Sequence, residues 1–196
     1  MIPFTSSDTG KIRETAACFA ESFLADEGLI SSCLNRKEAE TYFFLLLKEY
    51  IRIRAVYASS EKEEGYIIFH RKKQGIPWYR ELSLFVSYLR FLPFSAMQKL
   101  ILAQRDWEDY SITFSDLPDY VDVSFICVRP EYRHQGFFRR MMQEAFNETD
   151  HHGIPCVLDT DSEKKAGRYE HIGMKTYKEK ELESGLHMFT CIYEPE

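Results

Sequence analysis

The stretch from Tyr120 to about Met142 constrains this chain more than any other. Val121 to Val128 is an apolar run that reads as a buried strand. It passes through a short turn carrying Arg133, Gln135 and Gly136 and leads directly into a helix with a basic first turn. A strand that hands its chain to a helix leaves the first helical N–H groups without partners, all pointing the same way. Together with the positive end of the helix dipole they form a site for a phosphate or pyrophosphate. Gly136 lets the backbone approach such an anion closely, and Arg133, Arg139 and Arg140 add charge.

The junction differs from the two familiar nucleotide loops. It lacks the Gly-Lys-Ser/Thr ending of a P-loop, and one glycine does not make the three-glycine dinucleotide fingerprint. Arg133-His134-Gln135-Gly136-Phe137-Phe138 instead resembles the acyl-CoA-binding motif of the GNAT superfamily of N-acyltransferases, Gln/Arg-x-x-Gly-x-Gly/Ala. The first four positions agree. Phe138 stands where a small residue is usual, so its ring either narrows the pyrophosphate site or points away and packs. The resemblance implies an α/β (α+β) GNAT fold, a mixed central sheet flanked by helices. It also implies acetyl-CoA as the acyl donor. The contacts it implies are Ile126, Cys127 and Val128 at the strand end and Arg133, His134, Gln135, Gly136, Phe137, Phe138 and Arg139 around the turn.

The remaining elements are predicted from periodicity and punctuation. Ser7 and Asp8 are caps for a helix from about Lys11 to Ala25, and Asn35 caps a second from Glu38 to about Tyr50. Ile51 to Ala58 and Gly65 to His70 flank the polar turn Ser59 to Glu64, a hairpin signature. Lys72 to Pro77 reads as a loop, and Trp78 to Tyr110 as two helices broken at Pro93. After the junction come a strand (Pro155 to Thr160), a short helix (about Ser162 to Ile172) and a last hairpin (Met174 to Leu182, Leu186 to Tyr193). Ile2 to Thr5 is the one candidate for a first strand. This order is similar to the GNAT fold throughout, most strongly over Tyr120 to Tyr193. The helical insertion, about 78–110, resembles the branch that includes puromycin N-acetyltransferase, and about 120–175 would form the acyl-CoA-binding core. With 196 residues and no repeat or linker, the chain suits one domain that buries about 70% of its unfolded surface.

Charge and cysteine usage narrow the partners. A net charge of −6 argues against nucleic acid, which needs a basic face, and agrees with a cationic substrate. Five scattered cysteines with no Cys-x-x-Cys pair predict reduced, buried thiols and a cytoplasmic protein without a metal centre. The N-terminus has no basic region followed by an apolar core, so no secretory leader is expected. Leu82 to Phe94 is apolar but interrupted by Arg90 and Pro93, too short and mixed to span a bilayer.

The chemistry such a fold runs is attack of an amine on a thioester. It needs a neutral amine, a stabilised oxyanion and a proton for the departing thiolate. Asp161 to Met174 resembles the second GNAT motif, in which a tyrosine four residues before a glycine protonates the coenzyme A thiolate; here it is Tyr169, before Gly173. Lys165 occupies the position where many relatives have an asparagine contacting the pantetheine arm. The oxyanion donor would be a backbone N–H near Val128. Asp122 and Ser124 alternate with Val121, Val123 and Phe125, so both are expected on one face of the strand. Asp122, six residues before Val128, is in the register of the catalytic glutamate of the lysine-acetyltransferase branch. It is either the general base or a structural carboxylate bonded to backbone or to an arginine.

His151 and His152 follow the junction helix, where imidazoles suit the negative end of the dipole; without further ligand spacing they do not predict a metal site. The aromatic insertion (Trp78, Tyr79, Phe85, Tyr88, Phe91, Phe94) either walls the acceptor site or is core or a homodimer surface, and helix-spaced aromatics favour burial. The expectation is an acetyl-CoA-dependent N-acetyltransferase acting on a small amine by direct attack in a ternary complex. The rivals are an acetyltransferase acting on protein lysines or N-termini, and a non-catalytic acyl-CoA-binding module.

Overall fold

The computed structural model describes residues 1–111 and 116–195, except for the side chains of residue 104 and residues 106–111. The Trp107 end of the aromatic insertion therefore lies outside the described side chains. Among the described residues, seven strands make one sheet: β1 (Ile2–Pro3), β2 (Val56–Ala58), β3 (Gly65–Arg71), β4 (Val121–Val128), β5 (Cys156–Thr160), β6 (Lys175–Glu181) and β7 (His187–Tyr193). Their spatial order is β1-β2-β3-β4-β5-β7-β6, and every neighbouring pair is antiparallel except the central β4–β5 pair. A parallel pair needs a crossover, which the junction helix supplies.

Helices cover both faces. α1 (Thr9–Leu24) begins where the Asp8 carboxylate accepts from the Gly10 N–H at 2.8 Å. α2 (Leu29–Cys33) is a single short turn absent from the sequence expectation. α3 (Arg36–Arg52) opens on a capping box: Asn35 accepts from the Glu38 N–H, and Glu38 accepts from the Asn35 N–H. Phe19, Phe43, Leu47, Tyr66 and Ile68 form a core between these helices and one face of the sheet. On the other face, α6 (Phe137–His152) and α7 (Glu163–Glu170) bury Met141, Met142, Ala145, Phe146 and Ala166 against Ile67, Val121, Val123 and Leu158. At one edge, β6 is exposed at every residue but Lys180 and reads Lys-Thr-Tyr-Lys-Glu-Lys-Glu, charge that blunts an otherwise open strand.

Three expectations change. The β-like run from Ile51 is helical through Arg52, because α3 continues two residues past Tyr50; β2 starts only at Val56, after Arg54 turns the chain with φ 59°. Phe125 does not share a face with Val121 and Val123. Ile68 pairs with Phe125 and Phe69 with Val123, so Ser124 is an extra residue, a β-bulge that sends Phe125 into the α1–α3 core. Finally, the aromatic insertion is mostly not core. It forms α4 (Trp78–Phe91) and α5 (Phe94–Ser111), and of its named aromatics only Tyr88 is buried. No helix among the described residues is long and apolar enough to cross a membrane.

Candidate active site

The bulge and the single parallel pair open the site. β4 and β5 pair only through Val121–Cys156 and Asp122–Val157, then separate. Beyond that point the β5-facing backbone groups of β4 have no strand partner. A cleft of about 920 Å³ occupies the gap, running from α1 and α2 across the end of β4 to the start of α6. Ile126, Cys127 and Val128 form its β4 wall, and Arg133, His134, Gly136, Phe137, Phe138 and Arg139 surround its α6 end. Lys165 and Tyr169 close the α7 side.

Gly136 is the N-cap of α6 in a left-handed conformation, φ 79°, with open space where a Cβ would stand. With no capping side chain, the N–H groups of Phe137, Phe138 and Arg139 remain free for an external acceptor. Phe138 packs: its ring lies 5.3 Å from that of Tyr169, over the α6–α7 core, so it forms cleft floor and backs the tyrosine. Gln135 is outside the cleft; its amide donates to the Glu131 carbonyl at 3.0 Å and steadies the turn. Arg129 also turns away, held by the Glu63 carbonyl, the Tyr66 hydroxyl and Glu14.

Tyr169 sits in the last turn of α7. Burial pushes its phenol above the ordinary value, and among the described residues nothing hydrogen-bonds its hydroxyl. The Lys165 ammonium is engaged with Asp161 at 2.5 Å, and Asp161 also accepts from the Leu29 N–H at 2.8 Å. One carboxylate thereby ties α2, the end of β5 and α7 together at the cleft edge. Sequence reasoning passed over Lys164 and Arg168, which add cations to the α7 wall, and Asp26 and Asp159, which add anions. Short helices carry such charges for solubility as often as for binding, so spacing alone did not single them out.

Asp122 lies behind the cleft wall. Its Oδ2 accepts from the Ser124 hydroxyl at 3.0 Å, and Ser124, which does line the cleft, accepts from Tyr50 Oη at 3.1 Å. His70 Nε2 faces the same carboxylate oxygen at 3.4 Å. The expected structural partners, backbone or an arginine, are not the ones found. His70 Nδ1 is 3.0 Å from the Arg71 carbonyl, which can only accept, so Nδ1 carries hydrogen. Burial raises the Asp122 carboxyl above its ordinary range, while His70 and Ser124 pull the other way. His70 was not recognisable in the sequence, because only the β3–β4 register sets it against Asp122.

Cys127 lies 3.7 Å, sulfur to sulfur, from Cys18 on α1, and all five cysteines are free and buried. The contact draws the Cys18 thiol down, whereas burial pushes Cys127 well up. No cluster of three or more His, Cys, Asp or Glu side chains suited to a metal ion occurs among the described residues.

The fold is that of the GNAT N-acetyltransferases. Drosophila melanogaster polyamine N-acetyltransferase is similar in structure over 96% of this chain and 97% of its own, at 12% identity and a TM-score of 0.67. Mosquito arylalkylamine N-acetyltransferase-like 5b is similar over 98% of each chain, at 14% identity and a TM-score of 0.62. A GNAT-family protein from Desulfovibrio desulfuricans is similar over 98% of this chain and 96% of its own, at 12% identity and a TM-score of 0.58. By sequence, no family model and no curated protein matches.

Proposed function

We propose that this protein is an acyl-CoA-dependent N-acetyltransferase that moves the acetyl group of acetyl-CoA to the primary amine of a small molecule. The observation that carries this reading is one continuous cleft joining three features: unpaired β4 backbone, the uncapped N-terminus of α6, and a tyrosine whose hydroxyl has no hydrogen-bond partner among the described residues. The unpaired β4 edge suits an extended amide-bearing arm, which would add to the sheet as a strand does. The free N–H groups of α6, with Arg133 and Arg139, suit a pyrophosphate. In residues 1–196 we read a single domain of this type.

The reaction forms a C–N bond and breaks a C–S bond. The amine nitrogen attacks the thioester carbonyl, and a backbone N–H at the end of β4 stabilises the oxyanion. As the tetrahedral intermediate collapses, the thiolate leaves and takes the proton of Tyr169, whose raised pKa keeps that proton in place at neutral pH. The amine's proton passes to Ser124 while Ser124 gives its own to Asp122, which His70 faces at 3.4 Å. Asp26 and Asp159, with Phe23 and Tyr42, also line the cleft and suit an amine with an apolar body. Two structural neighbours named for polyamine and arylalkylamine substrates support a small-amine acceptor.

Thiol release from acetyl-CoA across a panel of polyamines and arylalkylamines tests this. Turnover of at least one amine is expected, with Tyr169→Phe lowering kcat by roughly 10²–10⁴-fold at little change in KM for acetyl-CoA. An unaltered kcat in that variant would remove Tyr169 from the proposed role, and no turnover of any amine would count against the enzyme.

A further inference from the structure

α4 has two apolar stripes, and the described residues cover only one. Leu84 and Tyr88 face inward onto α3, where the Tyr88 ring stacks on Tyr42 at 5.0 Å. The other stripe runs along the outer face through Trp78, Tyr79, Leu82, Phe85, Val86 and Leu89, exposed by 75, 56, 56, 41, 56 and 50%. A surface helix of a folded chain normally keeps its outer face polar, and contiguous apolar patches of more than a few hundred Å² mark interaction sites. None of these six side chains lines the catalytic cleft.

We infer that this stripe is the seam of a homodimer in which α4 packs antiparallel against α4 of a second copy. Two observations select a second copy over other occupants. The first is area. At about 150–250 Å² per large side chain, the six expose on the order of 600 Å². That matches the apolar share, about two thirds, of the roughly 800 Å² each partner gives to a standard interface. The second is symmetry. Leu82, Phe85, Val86 and Leu89 are spaced palindromically, so a two-fold axis between Phe85 and Val86 sets Leu82 of each copy opposite Leu89 of the other. A two-fold contact must be self-complementary in this way, and the spacing is that of helix-on-helix packing. The stripe carries no charged side chain, so two copies meet there without repulsion. A lipid surface is a poorer fit, because membrane-lying helices need a Lys- and Arg-rich polar face and this chain carries a net charge of −6.

Sedimentation equilibrium of the full chain gives the test. The wild type is expected at twice its 23.2 kDa chain mass, with little response to salt, and Phe85→Arg at the chain mass with an unchanged circular dichroism spectrum. Val86→Cys supplies a second readout that does not depend on Phe85→Arg folding. A short bis-maleimide should trap Val86→Cys as a covalent dimer, since the native thiols are buried. A wild type that stays at chain mass would overturn the seam, whether or not it binds neutral or anionic vesicles. So would a dimer that persists in Phe85→Arg, or a Val86→Cys protein that does not cross-link.

Discussion

Burial shifts Tyr169 and Asp122 in the same direction, and the two shifts suit the opposite roles proposed for them. A raised phenol stays protonated and can donate; a raised carboxyl is a stronger base once ionised. The sign for activity follows. Below its raised pKa Asp122 holds a proton and cannot take another, so kcat/KM should climb with pH through a value above 3.8. Asp122→Asn should flatten that acid limb. His70→Ala should move the limb to higher pH, because His70 favours the ionised carboxylate. A pH–rate profile that is the same in all three proteins would exclude the relay. Tyr169 and Asp122 stand out in the sequence through the resemblance, each at the distance from a glycine or a strand end that the GNAT motifs have. His70, Ser124's bulge and the Tyr50 hydroxyl could not, because non-local strand register brings them together.

At the scale of elements, the helices with chemical start signals were readable: Asp8 for α1, Asn35 with Glu38 for α3, Gly136 for α6. α2 was not. Its five residues are too few to nucleate alone, and besides the local Ser31 hydroxyl its first turn is held by Asp161, distant in sequence. Gly28 at its start has no room for a side chain: a Cβ would come within 2.1 Å of the Asp161 carboxylate. Gly28→Ala must displace that carboxylate from both Leu29 and Lys165. Denaturant unfolding should register a loss of about 1–3 kcal/mol with an unchanged m-value. An unchanged midpoint would mean that Asp161 does not clamp α2. The start of β2 was misread for a related reason. Ile51 to Val56 is apolar enough for a strand, but its first residues continue a helix already nucleated upstream.

For the whole molecule, the tyrosines set an alkaline limit. Burial lifts Tyr42 and Tyr66 to about 12 each and Tyr88 well above the ordinary phenol value. Between pH 10 and these values the folded chain keeps protons that the unfolded chain has lost, so stability falls as pH rises; below pH 10 it is fully present. Each group removes up to about 1.4 kcal/mol per pH unit, about 4 for the three together. Against a total stability of roughly 5–15 kcal/mol, one cooperative unfolding step is expected between about pH 10 and 12. Gradual tyrosine ionisation with retained near-ultraviolet circular dichroism would contradict this. The central claim, that the splayed β4–β5 cleft is an acyl-CoA site, meets its most direct test in titration calorimetry with acetyl-CoA and with desulfo-coenzyme A. Both should bind at one per chain and weaken as salt is added, since the pyrophosphate end is held by charge. Failure of both to bind a correctly folded chain would contradict it.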